Sequence, residues 1–294
     1  MNRVKVFDPM EPLQNQQLSL HLAAAIDRMP AFPKSVQRLL ELTQDAGCMP
    51  KDLVQVIEKD PVLTVKMLKM VNSAYFGLPK QITSVGHAVV YLGFGVTKNM
   101  AVTMAAIGML PKHNSAGFDW QAYLLHSLAC AAIAKQLAAR VEGADPMDCF
   151  VAGLLHDFGK VVLAQFMAAP FGQALENCRR SGGSLHLAMR DTLGADHAAV
   201  GAMLVEKWRF SPAMVETIAN QYGPDPKDTG MVACVFAANQ AAKKLEFGYA
   251  GNPCVSELPS AIATRLGGSL DEVIASLGDL RPLFQDAKLF ATIG

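Results

Sequence analysis

An adjacent histidine and aspartate, His156-Asp157, stand in an otherwise apolar segment that ends at Gly159-Lys160. Imidazole nitrogens and carboxylate oxygens bind divalent metal ions and exchange protons. The segment opens on Asp145-Pro146, an N-cap followed by proline at the first helical position, so we predict a helix over 147–157 and a left-handed cap at Gly159. A carboxylate at a helix C-terminus is unfavourable without a cation or hydrogen-bond donors. We therefore expect a cation or hydrogen-bond donors beside Asp157, with Lys160 or a protonated histidine as the alternative to a neutral donor.

A purely structural explanation is equally open for this dipeptide. The imidazole could donate to a backbone carbonyl, and the carboxylate could cap a following helix over 161–167. A two-residue motif also occurs often by chance. Other parts of the chain must therefore decide between chemistry and structure.

Three further polar residues fall on predicted helices and complete a candidate site. They are His126, His197 and Asn239, on helices predicted over 120–140, 197–208 and 230–244. Histidines and carboxylates from separate helices are typical of a metal site inside a helical bundle. Each residue alone is more often structural, because buried histidines commonly only form hydrogen bonds. Their occurrence together with His156-Asp157 favours one shared site.

The elements that must position these residues are helices throughout. Residues 1–20 are polar and rich in glutamine, and we interpret them as a tail or short linker. No run alternates apolar and polar residues, so the sequence predicts an all-α protein. Turn-forming residues at 110–117 mark a boundary, which divides the chain into an N-terminal helical lobe, 21–112, and a second helical lobe with a C-terminal extension, 113–294. The other predicted helices cover 33–46, 51–58, 61–71, 85–92, 96–109, 172–180, 213–222, 259–266 and 270–277.

Composition narrows the class of protein. Of 294 residues, 51% are hydrophobic and 18% are charged, which indicates extensive packing of helix on helix. Lys plus Arg and Asp plus Glu number 26 each, and this balance disfavours nucleic acid as a partner, because phosphate neutralisation needs excess positive charge. Six cysteines without C-x-x-C spacing indicate a reducing cytoplasm. We see neither a signal peptide nor an uninterrupted apolar run of membrane length, so we expect a cytoplasmic protein with no membrane contact.

Several motifs make the span 22–222 resemble the HDOD domain, the bacterial regulatory branch of the HD superfamily of metal-dependent phosphohydrolases. The resemblance implies two lobes, an N-terminal helical lobe packed on an HD-like helical lobe. The motifs that carry it are Met29-Pro30-Ala31-Phe32-Pro33, Asp60-Pro61 with Lys66-Met67-Leu68, Val71-Asn72-Ser73-Ala74-Tyr75-Phe76-Gly77, Ala88-Val89-Val90-Tyr91-Leu92-Gly93, Gly153-Leu154-Leu155-His156-Asp157-Phe158-Gly159-Lys160, and Leu193-Gly194-Ala195-Asp196-His197 with Gly201 and Trp208.

The resemblance also assigns roles to the candidate residues. In catalytic HD enzymes a histidine, the His-Asp pair and a later aspartate bind the metal; here His126 and His156-Asp157 match, and Asn239 stands where the last aspartate is expected. His197 resembles a further histidine of cyclic-di-GMP phosphodiesterases. The His-His-Glu stretch of those enzymes falls on 220–222, so Gln221 becomes a pocket candidate. Their Gly-Tyr-Pro signature is missing, and we give no weight to Tyr222-Gly223-Pro224.

The amide of Asn239 in place of an aspartate changes the charge that the site could offer a metal ion. Two neutral imidazoles and one carboxylate leave a divalent ion with uncompensated positive charge, and an amide is a poorer ligand. Changes to metal-supporting residues cost roughly 10–100-fold in affinity or activity, and a lost ligand should cost at least that. We therefore expect Asn239 to hydrogen-bond Asp157 or His126 and to hold a metal-free pocket together.

Two hypotheses from different classes follow. The first is a non-catalytic signalling or regulatory module without cofactor, whose interlobe cleft binds a partner protein or a nucleotide-like ligand, with a homodimer also compatible. The second is a metal-dependent phosphohydrolase that uses Mn, Mg or Fe on His126, His156 and Asp157, with Asn239 or water completing the shell and Lys160 steering phosphate. The segment after Lys244 has no assigned role, and regulatory input could arrive through it.

Overall fold

The computed structural model of the chain describes residues 11–42, 45, 47–72, 78, 80–111, 115–222, 229–252, 254–285 and 288. The first ten residues of the predicted tail, the motif residues 73–77 and Gly223-Pro224 lie outside the described residues.

Every regular element within these ranges is a helix, so the all-α prediction is confirmed. The helices are α1 (Glu11–Arg28), α2 (Lys34–Leu42), α3 (Pro50–Glu58), α4 (Pro61–Val71), α5 (Val85–Gly108), α6 (Trp120–Ala138), α7 (Pro146–Leu155), α8 (Gly159–Phe166), α9 (Ala168–Ser181), α10 (Leu185–Leu193), α11 (His197–Lys207), α12 (Pro212–Ala219), α13 (Gly230–Lys244), α14 (Ser260–Leu266) and α15 (Leu270–Ser276).

The N-terminal lobe is built on α5, against which α2, α3 and α4 pack. Asp60 begins α4 as predicted, because its side chain accepts hydrogen bonds from the backbone N–H groups of Val62 and Leu63. The predicted break at Gly93 is a kink within α5, where this residue has a φ of 75°.

The first helix differs from the prediction, because the predicted tail is helical from Glu11 onward. α1 packs on α8 and α11 of the second lobe. Lys207 holds its C-terminal end, since the Nζ atom donates to the carbonyls of Ile26 at 2.8 Å and Met29 at 3.2 Å. Polar composition suggested a tail, whereas this helix buries Leu22, Ala25 and Ile26 and gains its stability from tertiary contacts.

The second lobe has a central bundle of α6, α7 and α13. Its site-bearing helices begin where predicted, since Asp119, Asp145, Asp196 and Thr229 each accept from first-turn backbone N–H groups. No helix was predicted over the residues of α10, although its buried residues Leu185, Met189 and Leu193 recur every fourth position.

The corner around the His-Asp pair also differs from the prediction. α7 ends at Leu155, so His156 and Asp157 lie in the turn that follows the helix. Gly159 is the first residue of α8 and is no left-handed cap. Its lack of a side chain is needed for another reason: a Cβ atom there would lie 2.0 Å from the carbonyl oxygen of His197. The glycine thus allows α8 and α11 to approach and places His197 beside Asp157.

The two lobes meet through polar and aromatic contacts. Between α5 and α7, Lys98 Nζ lies 2.9 Å from Asp148 Oδ1. On another side, Trp208 Nε1 donates to the carbonyl of Pro30 at 3.1 Å, and its ring lies edge-on to Phe32 at 4.4 Å. The boundary at residues 112 and 113 stays a prediction, although the packing of one helical lobe on another is observed.

Two segments, Val85–Gly108 and Pro146–Phe166, are long and apolar enough to cross a membrane. We had expected no segment of membrane length because no apolar run is uninterrupted, but the mean hydropathy of these two segments is high enough to meet the criterion. In the second segment 83% of the most apolar window is buried inside the protein, as in the core helices of soluble proteins. That segment is two helices, α7 and α8, separated by the turn that carries His156-Asp157.

Candidate functional site

Four helices bring polar side chains to one buried place in the second lobe. Each of these side chains is at most 1% exposed. The buried cluster, as we name it, consists of His126 from α6, His156 and Asp157 after α7, Lys160 from α8 and His197 from α11.

Asp157 lies at the centre of the buried cluster. The ammonium of Lys160 donates to its Oδ2 atom at 2.5 Å, and His156 Nε2 lies 3.3 Å from the same oxygen. His126 Nε2 is further away, at 3.9 Å. His197 Nε2 approaches the other oxygen, Oδ1, at 3.0 Å. Of the neutralising partners considered for Asp157, the structure therefore places Lys160 on the carboxylate.

The histidines leave several polar atoms without partners. His156 Nδ1 lies 2.7 Å from the carbonyl of Gly153, and because a carbonyl only accepts, we assign the ring proton to Nδ1 and a lone pair to Nε2. Despite the short distances, His156 Nε2, His197 Nε2 and Asp157 Oδ1 form no hydrogen bond of good geometry. His126 Nε2 lies 3.4 Å from Cys130 Sγ, one helical turn along α6. The buried cluster thus holds unused donors and acceptors.

Burial and neighbouring charges set the protonation states. Burial alone would raise the pKa of Asp157, but His156, Lys160 and His197 together hold it well below its usual value. Burial, with the imidazole of His156 beside it, lowers the pKa of His126 to about 3. Burial and then Lys160 also lower the pKa of His197. At neutral pH the buried cluster therefore contains an ionised Asp157 with His126 and His197 neutral.

A segment after α13 closes over Lys160. We name residues 245–252 the strap. The Lys160 ammonium donates to the carbonyl of Ala250 in the strap at 2.8 Å. The backbone N–H of Tyr249 donates to the carbonyl of Ala122 on α6 at 3.0 Å, which anchors the strap one turn from His126. This contact could not be predicted from the sequence, because a backbone carbonyl belongs to every residue type.

Asn239 does not make the predicted hydrogen bond to Asp157 or His126. Its Nδ2 atom donates to the hydroxyl of Tyr222 at 3.0 Å. The Tyr222 ring in turn lies edge-on to His197 at 5.0 Å and stacks on His186 at 4.5 Å. The sequence predicted no role at the site for His186, and we had given no weight to Tyr222.

The pocket candidate Gln221 lies next to the buried cluster. Its Nε2 atom donates to the carbonyl of His156 at 2.6 Å. The side chain is 2% exposed, and its Oε1 atom has no hydrogen-bond partner. Gln221 therefore fixes the backbone of the turn that carries the His-Asp pair.

The residues can be tested against the divalent metal that the HD superfamily implies. Ligand atoms of His126, Cys130 and His156 lie within 4.8 Å of one another, close enough to share an ion. Cys130 would have to ionise to add negative charge, and burial raises its pKa well above the usual value. The other negative ligand, Asp157, already carries the Lys160 ammonium on Oδ2. In this arrangement the residues do not fit a divalent ion.

Comparison with known proteins identifies a family model and similar chains. The HDOD domain model matches residues 29–224. An uncharacterized protein of Treponema pallidum (strain Nichols) is 27% identical over 209 residues, which cover 70% of this chain. The chain spans 40% of the length of that curated relative.

Solved structures confirm the fold. An HDOD domain protein of unknown function from Geobacter sulfurreducens has a TM-score of 0.79 and 24% identity, covering 95% of this chain and 99% of that one. A candidate phosphohydrolase from Shewanella amazonensis SB2B has a TM-score of 0.71 and 23% identity, covering 92% and 98%. A candidate signal transduction protein from Marinobacter aquaeolei VT8 has a TM-score of 0.75 and 22% identity, covering 95% and 66%.

Proposed function

Since the chain belongs to the HDOD domain family, we propose that it is a non-catalytic regulatory module that recognises a partner protein or a nucleotide-like ligand. One observation carries the proposal: the ammonium of Lys160 lies on Asp157 Oδ2 inside the protein core. The carboxylate of the His-Asp pair is thereby neutralised from within the chain. The signal transduction description of one similar structure agrees with a regulatory role.

The surroundings of Asn239 support the same proposal. A carboxylate at this position would add the negative charge that a divalent ion lacks, whereas the amide donates to Tyr222 and adds none. The five residues of the buried cluster are also at most 1% exposed, so a phosphate ester has no contact with them in this arrangement. Lys160 in particular cannot steer phosphate while it is bound to Asp157 and Ala250.

The cellular setting belongs to the proposal as well. We propose a bacterial, cytoplasmic protein, because the similar proteins come from bacteria and the six cysteines are free thiols. The neutral charge balance supports recognition of a protein or small molecule over nucleic acid.

A metal-dependent phosphohydrolase remains the second candidate. It is favoured by the closeness of the ligand atoms of His126, Cys130 and His156, and by the phosphohydrolase description of one similar structure. In that case Lys160 would have to leave Asp157 before an ion could bind.

The test is metal analysis of the full chain purified without chelator, followed by assays with Mn²⁺ and bis(p-nitrophenyl) phosphate or cyclic-di-GMP. We expect no stoichiometric metal and no turnover. One bound ion per chain, with turnover that disappears in His156→Ala, would establish the phosphohydrolase instead.

A second variant tests whether the site lacks activity because of the amide at position 239 or because Lys160 is bound to Asp157. Asn239→Asp restores the carboxylate, but because Lys160 still neutralises Asp157, we expect it to produce no turnover. Asn177→Asp is the matched control, since it adds the same charge on α9, on a helix that contributes no residue to the buried cluster. Phosphodiester hydrolysis by Asn239→Asp alone would show that the amide, and not the lysine, had silenced the site.

A further inference from the structure

The strap lies outside the part of the chain that matches the family model, which ends at residue 224. It is nonetheless bound tightly to the second lobe. Phe247 N–H donates to the carbonyl of Ala242 at 2.8 Å, in addition to the bond between Tyr249 and α6. Gly248 has a φ of 71°, and a Cβ atom there would lie 2.4 Å from the backbone nitrogen of His126. The strap is thus shaped to lie directly against the helix that carries His126.

This position gives the Lys160 ammonium a second fixed acceptor. Lys160 Nζ lies between Asp157 Oδ2 at 2.5 Å and the carbonyl oxygen of Ala250 at 2.8 Å. The Lys160 side chain is only 1% exposed, so solvent water cannot take the place of either acceptor. A buried ammonium needs such partners, because an unpaired charge in the interior is strongly unfavourable.

We propose that Lys160, clamped by the strap, is the resident cation of the buried cluster and keeps divalent metal ions out of it. This inference rests on the proposed non-catalytic function and names the device that maintains it. A metal ion on Asp157 would need a carboxylate oxygen at roughly 2.0–2.2 Å. Two cations sharing Oδ2 would repel each other across the interior, where water and salt screen little.

Apart from the ammonium, the buried cluster is prepared for a cation. His156 Nε2, His197 Nε2 and Asp157 Oδ1 are buried and have no hydrogen-bond partner. His156 also donates Nδ1–H to the Gly153 carbonyl, the kind of orientation that metal-binding histidines use. The donor atoms are therefore present, and the ammonium decides whether an ion can enter.

The experiment removes the ammonium and measures metal binding directly. Lys160→Met keeps the apolar stem, and Lys160→Gln keeps a donor for Asp157 and Ala250 in case the first variant fails to fold. Mn²⁺ is titrated into the chelator-treated full chain, and free Mn²⁺ is measured by electron paramagnetic resonance. We expect both variants to bind one Mn²⁺ per chain at least about tenfold more tightly than the unmodified protein.

Two further variants locate the effect. Lys243→Met removes a neighbouring ammonium that donates to the Cys254 carbonyl at 2.9 Å and not to Asp157, so we expect no gain in binding. His126→Ala added to Lys160→Gln should abolish the gained binding, which would place the ion in the buried cluster.

The outcomes distinguish this inference from the proposed function. If the folded Lys160 variants bind Mn²⁺ no better than the unmodified protein, the resident-cation inference is overturned and the non-catalytic proposal stands. If the unmodified protein already binds one ion through His126, both fail. If Lys243→Met gains as much as Lys160→Gln, general loss of positive charge explains the result and the inference is again overturned.

Discussion

Two of the lysine–aspartate pairs in the described part of the protein lie in very different surroundings. Lys98 Nζ lies 2.9 Å from Asp148 Oδ1 between the lobes, with side chains 15% and 43% exposed. Lys160 Nζ lies 2.5 Å from Asp157 Oδ2 in the buried cluster, and both side chains are 1% exposed. Distance alone would rank them as equivalent. Their different burial makes the first a partly hydrated contact between the lobes and the second a structural requirement.

The difference teaches what each pair can contribute. Water reaches both charges of the Lys98–Asp148 pair, which is only partly buried, so their contact adds little stability. The buried pair has no such alternative, and either charge without the other would be stranded in the core. A buried pair of this kind can hold one electrostatic state of a site permanently, which the exposed pair cannot do.

The largest expected effect comes from breaking the buried pair. Lys160→Met leaves the Asp157 carboxylate without its cation, so in metal-free buffer we expect the free energy of unfolding to fall by about 3–5 kcal/mol. Urea unfolding followed by circular dichroism measures it.

The double variant Lys160→Met with Asp157→Asn provides the control for that loss. It removes both charges, and we expect it to be more stable than Lys160→Met by at least about 1–2 kcal/mol. Equal stability of the single and double variants would mean that lost packing, and not a stranded charge, explains the result.

An intermediate effect is expected from pH, through the buried histidines that surround Asp157. The pKa of His126 is lowered to about 3 from an ordinary value of 6.5, and that of His197 is also lowered. The unfolded chain therefore binds more protons below pH 6.5. Stability is complete above this pH and is lost as the pH falls, at roughly 1.4 kcal/mol per pH unit for each histidine. Asp157 adds to the loss only below its ordinary value of 3.8.

Urea midpoints between about pH 7 and pH 5 measure the slope. His126→Asn should remove the contribution of one histidine. His87→Asn is the control, because His87 is exposed on α5 and should leave the slope unchanged. A slope that His126→Asn does not alter would contradict the assignment of His126 as a neutral, buried group.

The smallest effect is expected from the exposed pair. Lys98→Met should lower the free energy of unfolding by less than about 1 kcal/mol, because the pair is partly exposed and water reaches the Asp148 carboxylate that is left behind. High salt should reduce even this loss, whereas it should leave the loss in Lys160→Met nearly unchanged. Denaturation of both variants with and without added NaCl checks the contrast. A loss for Lys98→Met as large as that for Lys160→Met would remove the distinction drawn between the pairs.

Local sequence signals predicted most of the helices and their beginnings. Asp60, Asp119 and Asp145 begin helices because a side-chain oxygen can accept from the first-turn N–H groups whatever the rest of the chain does. The predictions for α1 and Gly159 were wrong because they used only local signals, whereas both features depend on distant parts of the chain. α1 is polar in composition and depends on its contact with α8 and α11, and the role of Gly159 depends on a helix almost forty residues away.

The sequence by itself determined the helical fold, the family and the need for a cation or hydrogen-bond donors beside Asp157, since these follow from residue types, short spacings and the cost of a buried charge. Only the tertiary structure decided which cation it is, because Lys160 is held by a carbonyl of the strap ninety residues further along the chain. It also decided that Asn239 pairs with Tyr222 and not with Asp157. Such choices depend on which atoms the packed helices bring within hydrogen-bond distance, and no local pattern encodes that.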